Sequence, residues 1–260
     1  MDLELAMLKC TKKVAMAIAC HPDDIEFMMA GTLIRLRDAG YEVHYMNIAN
    51  GSLGTNSMSY EEIVCMRREE AMNAAKIMGA VYHESICDDL EVLYTPQLLA
   101  KVVEVFRQVE PSILLTHGPY DYMEDHINAG RLAVSAAFCR GMTNFKCDRS
   151  IPATLQDVAV YHSQPHSLTD SLRRVVKPDF FVDITSTMEE KKAMLSCHKS
   201  QKEWLDKSQG NDAYIDELIY RGKHYGKMSG KYEYADGWIR HSYLGFGPED
   251  FDPLAELQAD

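Results

Sequence analysis

The chain has 260 residues, of which 46% are hydrophobic and 25% are charged, so a disordered or collagen-like chain is excluded. Its 39 acidic and 27 basic side chains give a formal net charge of −12. This balance argues against nucleic acid or an anionic membrane as partner, because phosphate contacts need clustered lysine and arginine. A chain of this length can bury the core of an α/β domain.

The cysteine pattern and the N-terminal sequence indicate a reduced compartment. The seven cysteines are scattered and contain no Cys-x-x-Cys pair, so neither a disulfide scaffold nor a thiolate zinc finger is expected. The first five residues are acidic where a signal peptide would be basic, and no apolar run approaches the roughly 20 residues of a membrane span. We therefore expect a cytoplasmic protein.

The first half of the chain alternates predicted strands and helices. The apolar run at 13–20 shows no alternation, which is typical of a strand buried on both faces of a parallel sheet. The Asp23-Asp24 pair that follows is expected to cap the next helix, and Ser59 with Glu62 predicts a capping box. Further strands are predicted at 41–49, 81–86 and 112–117, and helices at 26–39, 59–78, 95–110 and 125–139.

The second half is less regular. Strands are predicted at 156–161 and 180–184, helices at 186–206 and 211–224, and a loop over the Gly-, Lys- and Tyr-rich stretch 222–238. The earlier alternation predicts an α/β fold with a Rossmann-like, mainly parallel, doubly wound sheet, helices on both faces and an irregular C-terminal portion. We expect one domain over 1–260, with its core at about 13–205 and an extension at about 206–260.

Two predicted strands end in unusual polar motifs. His21-Pro22-Asp23-Asp24 follows the first strand, and Asp121-Tyr122-Met123-Glu124-Asp125-His126 follows the strand at 112–117. Ligands of open α/β sheets bind beyond the carboxyl ends of the strands. If the two strands are neighbours, an imidazole and up to two carboxylates from each motif converge. Such a set without cysteine suits zinc or iron(II).

Other catalytic motifs are missing from the sequence. The glycine-rich segment 51–54 has neither the GxGxxG spacing nor the GK[ST] of a phosphate-binding loop, so a nucleotide cofactor is unsupported. The chain also contains no GxSxG elbow, which disfavours a serine hydrolase.

Four blocks stand in order along about residues 13–205. They are Ala19-Cys20-His21-Pro22-Asp23-Asp24-Ile25-Glu26 with Ala30-Gly31-Thr32; Arg67-Arg68-Glu69-Glu70-Ala71; Asp121–His126; and Val182-Asp183-Ile184 with His198-Lys199-Ser200-Gln201. Together they resemble the motifs of the LmbE/PIG-L family of metal-dependent N-deacetylases.

The resemblance implies roles for the first and third blocks. His21, Asp24 and His126 would bind zinc, or iron(II), and three protein ligands leave a position open for water. Asp23 would be the general base that accepts a proton as water attacks the amide. The implied activity removes an acetyl group from a small N-acetylated substrate, an N-acetylglucosamine-type sugar or glycoconjugate. Family members often form homo-oligomers, and we expect one here.

Further site candidates follow from the other blocks. Arg67 matches an arginine that reaches into the substrate cleft, although it could instead pair with Glu62 or Glu70 on a solvated face. Asp125 is a candidate catalytic residue that orients a neighbour, or it only favours a helix N-terminus through the macrodipole. The remaining candidates are Asp121, Tyr122 and Gln201 for substrate binding and His198 for catalysis.

The chain departs from the family pattern at two positions. Met123 stands where the first histidine of a His-Pro-Asp-His motif is usual, and methionine cannot donate a proton to the intermediate or the leaving amine. Either Asp23 shuttles the proton with support from His198, or Tyr122, Asp121 or His198 takes over. Cys20 replaces the usual alanine, either as a small buried residue or as a thiol that oxidises or binds soft metals.

Two alternative functions stay open at this point. One is an amidase that acts on a non-sugar amide, such as a thiol conjugate or a natural product. The other is a metal-containing binding protein without turnover, against which the intact Asp23 argues, since a binder needs no base there.

Overall fold

The computed structural model describes residues 13–147, 151–202 and 213–258. The strands are β1 (Val14–Ala19), β2 (Glu42–Asn47), β3 (Val81–His83), β4 (Ile113–His117), β5 (Ala159–Ser163), β6 (Phe180–Asp183) and β7 (Ala235–Arg240). The helices are α1 (Asp24–Met28), α2 (Ala30–Asp38), α3 (Tyr60–Met78), α4 (Pro96–Val109), α5 (Glu124–Cys139), α6 (Met188–Leu195), α7 (Ala213–Ser229) and α8 (Pro253–Glu256). None of these helices is long and apolar enough to cross a membrane.

The strands form one seven-stranded sheet in the order β3-β2-β1-β4-β5-β7-β6. The first five strands in this order are parallel, whereas β7 runs antiparallel to both of its neighbours. The chain order reverses direction between β1 and β4, and Ile18 lies opposite Thr116. The carboxyl ends of β1 and β4 therefore lie side by side at the switch point, where ligands of such sheets bind.

Helices cover both faces of the sheet, which confirms the predicted fold. Ala15, Ala17 and Ala19 of β1 pack in one core cluster with α1, α2, α3, α6 and α7. Met16 and Ile18 pack in a second cluster with α4 and α5. Every residue of β1 is buried, as the unbroken apolar run predicts.

The helix boundaries agree with the sequence signals at several positions and differ at others. Ser59 and Glu62 form the predicted capping box, and Gly79 ends α3 with a φ of 73°. The predicted helix at 26–39 is two helices separated at Met29. The expected capping by the aspartate pair is wrong: Asp23 holds the N-cap position, but its side chain makes no capping hydrogen bond and its φ is 108°.

The C-terminal part contains more regular structure than the sequence indicates. The predicted loop at 222–238 is wrong, since α7 extends to Ser229 and β7 begins at Ala235 inside the sheet. The strand is fixed by Trp238, which is fully buried and donates a hydrogen bond to the Thr32 hydroxyl at 2.9 Å. The predicted helix at 186–206 is interrupted at 196–198, and its last residues, 203–206, lie outside the described residues. The first two residues of the helix predicted at 211–224 also lie outside the described residues.

Candidate metal centre and active-site pocket

A pocket of about 680 Å³ opens at the carboxyl ends of β1 and β4. His21 and Asp23 reach it from the turn between β1 and α1, Asp24 from the first residue of α1, and His126 from the first turn of α5. The parallel pairing of β1 with β4 brings the two motifs together, although about 100 residues separate them in the chain.

Asp24 lies between the two imidazoles. Its Oδ2 is 3.5 Å from His21 Nδ1, and its Oδ1 is 3.3 Å from His126 Nε2. The backbone N–H of His21 also donates to Asp24 Oδ2 at 2.7 Å, which fixes the carboxylate. Each imidazole thus faces one oxygen of the buried Asp24 carboxylate.

A second carboxylate supports each imidazole on its far side. His21 Nε2 is 3.2 Å from Asp125 Oδ2, and His126 Nδ1 is 3.1 Å from Asp121 Oδ2. Burial by itself would lower the pKa of His126, but Asp24 and Asp121 raise it to about 9. The cluster therefore favours positive charge between these groups. Metal-binding histidines are commonly oriented by carboxylates in this way, so the donor set is suited to a divalent metal.

Two neighbouring side chains are less suited to bind a metal. His117, Asp24 and His126 have potential ligand atoms within 4.8 Å of one another. However, His117 Nε2 accepts the backbone N–H of Cys20 at 2.9 Å, so that lone pair is engaged. The ring instead stacks on His126, with centroids 4.3 Å apart. Burial raises the pKa of Cys20 to about 12, which keeps its side chain as a thiol rather than the thiolate that binds metals.

Asp23 lies beside this cluster in a strained backbone conformation. A φ of 108° is unfavourable for a residue with a side chain, at a cost of about 1–3 kcal/mol, and such strain is often found at active sites. Its Oδ2 accepts a hydrogen bond from the Tyr214 hydroxyl at 2.8 Å and lies 3.3 Å from the Arg67 guanidinium. Burial raises the pKa of the Asp23 carboxyl, and Arg67 opposes that shift.

Arg67 is 3% exposed and points into the pocket rather than to solvent. Its guanidinium also donates to the Pro22 carbonyl. The glycines of the 51–54 loop make room for it, since a Cβ on Gly51 would lie 2.4 Å from Arg67 Cδ. The alternative pairing with Glu70 on a solvated face is wrong, because Glu70 is buried and accepts hydrogen bonds from Ser200 N and Oγ at 2.8 and 2.7 Å.

The other predicted site residues divide into two groups. Tyr122, Asp125 and Gln201 line the pocket, and Gln201 Nε2 donates to the Gly54 carbonyl at 2.9 Å. Asp121 and His198 do not line it. Asp121 is buried behind His126, and His198 is fully buried with its Nε2 3.4 Å from Glu26 Oε1.

Five polar residues that line the pocket were missed: Asp89, His166, Ser167, Tyr214 and Glu217. Asp89 and His166 follow β3 and β5, so the strand-end rule that singled out His21 could have found them. Tyr214 and Glu217 lie on α7, about 190 residues from Asp23, and no local signal in the sequence marks them.

The fold and the site define a Rossmann-like α/β protein with a candidate metal centre at its topological switch point. A family model described as PIG-L, GlcNAc-PI de-N-acetylase, matches residues 16–137. The chain is also 32% identical over 235 residues to diacetylchitobiose deacetylase of Thermococcus kodakarensis, covering 86% of this chain and 82% of that protein. The chain therefore belongs to the PIG-L (LmbE-like) family, which confirms the family predicted from the four blocks.

Solved structures share this fold. N,N'-diacetylchitobiose deacetylase from Pyrococcus horikoshii has the same fold, with a TM-score of 0.75, 24% identity and coverage of 93% of this chain and 88% of that one. The 4-carboxy-2-hydroxymuconate hydratase from Pseudomonas putida KT2440 is also similar, with a TM-score of 0.72, 25% identity and coverage of 88% and 96%. The fold is thus shared by proteins with different reactions.

Proposed function

We propose that this protein is a metal-dependent N-deacetylase that hydrolyses the acetamide of a small N-acetylated substrate, an N-acetylglucosamine-type sugar or glycoconjugate. One observation carries the proposal: Asp24 lies between two imidazoles that are each supported by a carboxylate, and Asp23 lies in the same pocket. The similarity to diacetylchitobiose deacetylase supports the substrate class.

His21, Asp24 and His126 would hold the metal, and this imidazole–carboxylate set without a thiolate suits zinc or iron(II). When bound, such an ion supplies Lewis acidity, which activates water near neutral pH and polarises the amide carbonyl. Asp125 and Asp121 orient the two imidazoles from behind.

Asp23 moves the proton. Its Oδ2 is occupied by Tyr214 and Arg67, whereas Oδ1 accepts no hydrogen bond from the residues that the structure describes. Oδ1 accepts a proton from water as the water oxygen bonds to the acetamide carbon. The same proton then passes to the nitrogen as the carbon–nitrogen bond breaks, which yields an amine and acetic acid, and the acid loses its proton to become acetate. This shuttle needs no donor at Met123.

The charge of the pocket favours a neutral substrate. Five carboxylate residues line it, namely Asp23, Asp24, Asp89, Asp125 and Glu217, against a single arginine or lysine among the described lining residues, Arg67. Because Asp23 already pairs with Arg67, that guanidinium is engaged, and an anionic substrate would depend on the metal for its counter-charge. A neutral acetamide avoids repulsion from these carboxylates. A carboxylate substrate, of the kind named for the hydratase relative, would be repelled by these carboxylates.

Two variants test the assigned roles. Asp23→Asn is expected to keep the metal and abolish acetate release, because an amide cannot accept the proton. His126→Ala is expected to lose the metal, as measured by elemental analysis of the purified protein. Full turnover by Asp23→Asn, or unchanged metal stoichiometry in His126→Ala, contradicts the assignment.

Cytoplasmic location, homo-oligomeric assembly and a single domain over 1–260 stay predictions from the sequence.

A further inference from the structure

The pocket lacks a hydrogen-bond donor at one expected position. Met123 lines it, and a thioether cannot donate to the oxygen that becomes negative as the amide carbon turns tetrahedral. Of the three substitutes suggested by the sequence, Asp121 and His198 do not line the pocket, whereas Tyr122 lines it with its ring edge-on to His126. Asp121 is also engaged by His126 and by the backbone N–H of Met123.

His166 lines the same pocket from another direction. It follows β5, which pairs in parallel with β4, so it approaches from the strand next to the one that carries the His126 motif. Its ring packs edge-on against Phe27 with centroids 4.7 Å apart, and Phe27 packs in the same way on Tyr214 at 5.0 Å. Tyr214 in turn binds Asp23. The imidazole is thus part of the packing that holds the proposed base.

The backbone around His166 is held firmly while its ring is free to bind. Arg221 donates to the carbonyls of Pro165, at 2.8 Å, and of His166 itself. The ring nitrogens of His166 have no hydrogen-bond partner among the residues that the structure describes. A half-buried imidazole that is positioned by a buried arginine but leaves its polar atoms unpaired is available to a ligand in the pocket.

The charge state of His166 suits a donor beside a metal. Burial and the nearby Arg221 lower its pKa to about 4, so the ring is neutral at physiological pH and carries one N–H. A neutral donor binds a developing oxyanion without repelling a divalent cation. Neutral histidine is a known electrophile in other enzymes.

We propose that His166 is a further catalytic residue, whose ring N–H donates a hydrogen bond to the acetamide oxygen as it gains negative charge, a role that the thioether of Met123 cannot take. This inference rests on the proposed deacetylase function. His166 transfers no proton in this step, since Asp23 carries the proton from water to nitrogen.

The test compares two substitutions at one position. His166→Phe keeps an aromatic ring against Phe27 but removes the donor, and kcat is expected to fall about 100-fold with little change in KM. His166→Gln supplies an N–H group, and its kcat is expected to be about tenfold higher than that of His166→Phe. His224→Phe is the matched control, because His224 does not line the pocket and its ring contacts Tyr220 and Tyr225. Metal content is measured for every variant.

A second-site rescue separates the donor role from a packing role. Met123→His combined with His166→Phe is expected to be more active than His166→Phe alone, because it places an imidazole donor in the same pocket at position 123. The proposal is refuted if His166→Phe keeps kcat within about threefold of the wild type. It is also refuted if neither His166→Gln, nor Met123→His in the His166→Phe background, restores any rate. Failure of the underlying function is distinguishable, since the wild-type chain itself then releases no acetate.

Discussion

Tyr214→Phe tests whether the contact between α7 and Asp23 serves catalysis. The tyrosine hydroxyl donates to Asp23 Oδ2 at 2.8 Å, and its ring packs on Phe27 with centroids 5.0 Å apart. Phenylalanine keeps the ring and removes only the hydroxyl. The substitution therefore alters the proposed base without opening a cavity.

The size of the effect follows from the chemistry of this contact. A hydrogen bond to a charged group contributes about 1.5–3 kcal/mol, and each 1.4 kcal/mol is about a factor of ten in rate. Arg67 remains 3.3 Å from the same oxygen and continues to hold it, so the loss belongs at the lower end of that range. We expect kcat/KM to fall about tenfold, with most of the change in kcat.

The assay is the initial rate of acetate release at saturating metal, accompanied by thermal unfolding and metal analysis of the variant. Tyr225→Phe is the control, because Tyr225 is a buried tyrosine on the same helix whose hydroxyl has no hydrogen-bond partner among the described residues. An unchanged rate in Tyr214→Phe refutes the argument that Tyr214 positions the base. An equal loss in both variants indicates a general disturbance of α7 and refutes it as well.

Three other predictions concern the supporting structure. Gly51→Ala is expected to lower activity at least tenfold, because Gly51 has a φ of 79° and the new Cβ would displace Arg67; wild-type kinetics contradict this. Lys191→Met breaks a buried ion pair with Asp236 (2.6 Å) and is expected to cost about 3–5 kcal/mol of unfolding free energy. Lys192 is only partly buried and pairs with the exposed Glu189, so Lys192→Met is expected to change that free energy by less than about 1 kcal/mol; equal effects of the two substitutions contradict the burial argument. Burial lowers the pKa of His162 to about 4, so between about pH 6.5 and pH 4 the unfolded chain binds more protons than the folded chain. The free energy of unfolding is therefore expected to fall by up to about 3 kcal/mol as the pH is lowered through this range. His162→Gln should flatten that dependence in denaturant titrations, and an unaltered slope contradicts it.

The parts of the fold that local sequence patterns determine could be predicted. The unbroken apolar run of β1, the capping box at Ser59 and the glycine at the end of α3 each depend on neighbouring residues only. The switch point also follows from the βα alternation, and it explains why His21 and His126 share a pocket. These features depend on periodicity and on local hydrogen bonds.

The parts of the fold and site that depend on packing between distant residues could not be predicted from the sequence. β7 lies antiparallel between β5 and β6 because Trp238 is buried against Thr32, about 200 residues earlier in the chain. Tyr214 reaches Asp23 over a similar separation. The left-handed backbone of Asp23 contradicts the local preference for capping, and tertiary contacts of its carboxylate hold it there. Such strain at a proposed catalytic residue is where local reasoning is expected to fail.

The most direct test of the central claim is acetate release from N-acetylglucosamine, N,N'-diacetylchitobiose and non-sugar N-acetyl amides, by protein loaded with zinc or iron(II) and by protein stripped with a chelator. The account predicts release from the neutral N-acetyl sugars that requires the metal and returns when metal is restored. Stoichiometric metal binding with no acetate released from any of these substrates would contradict it.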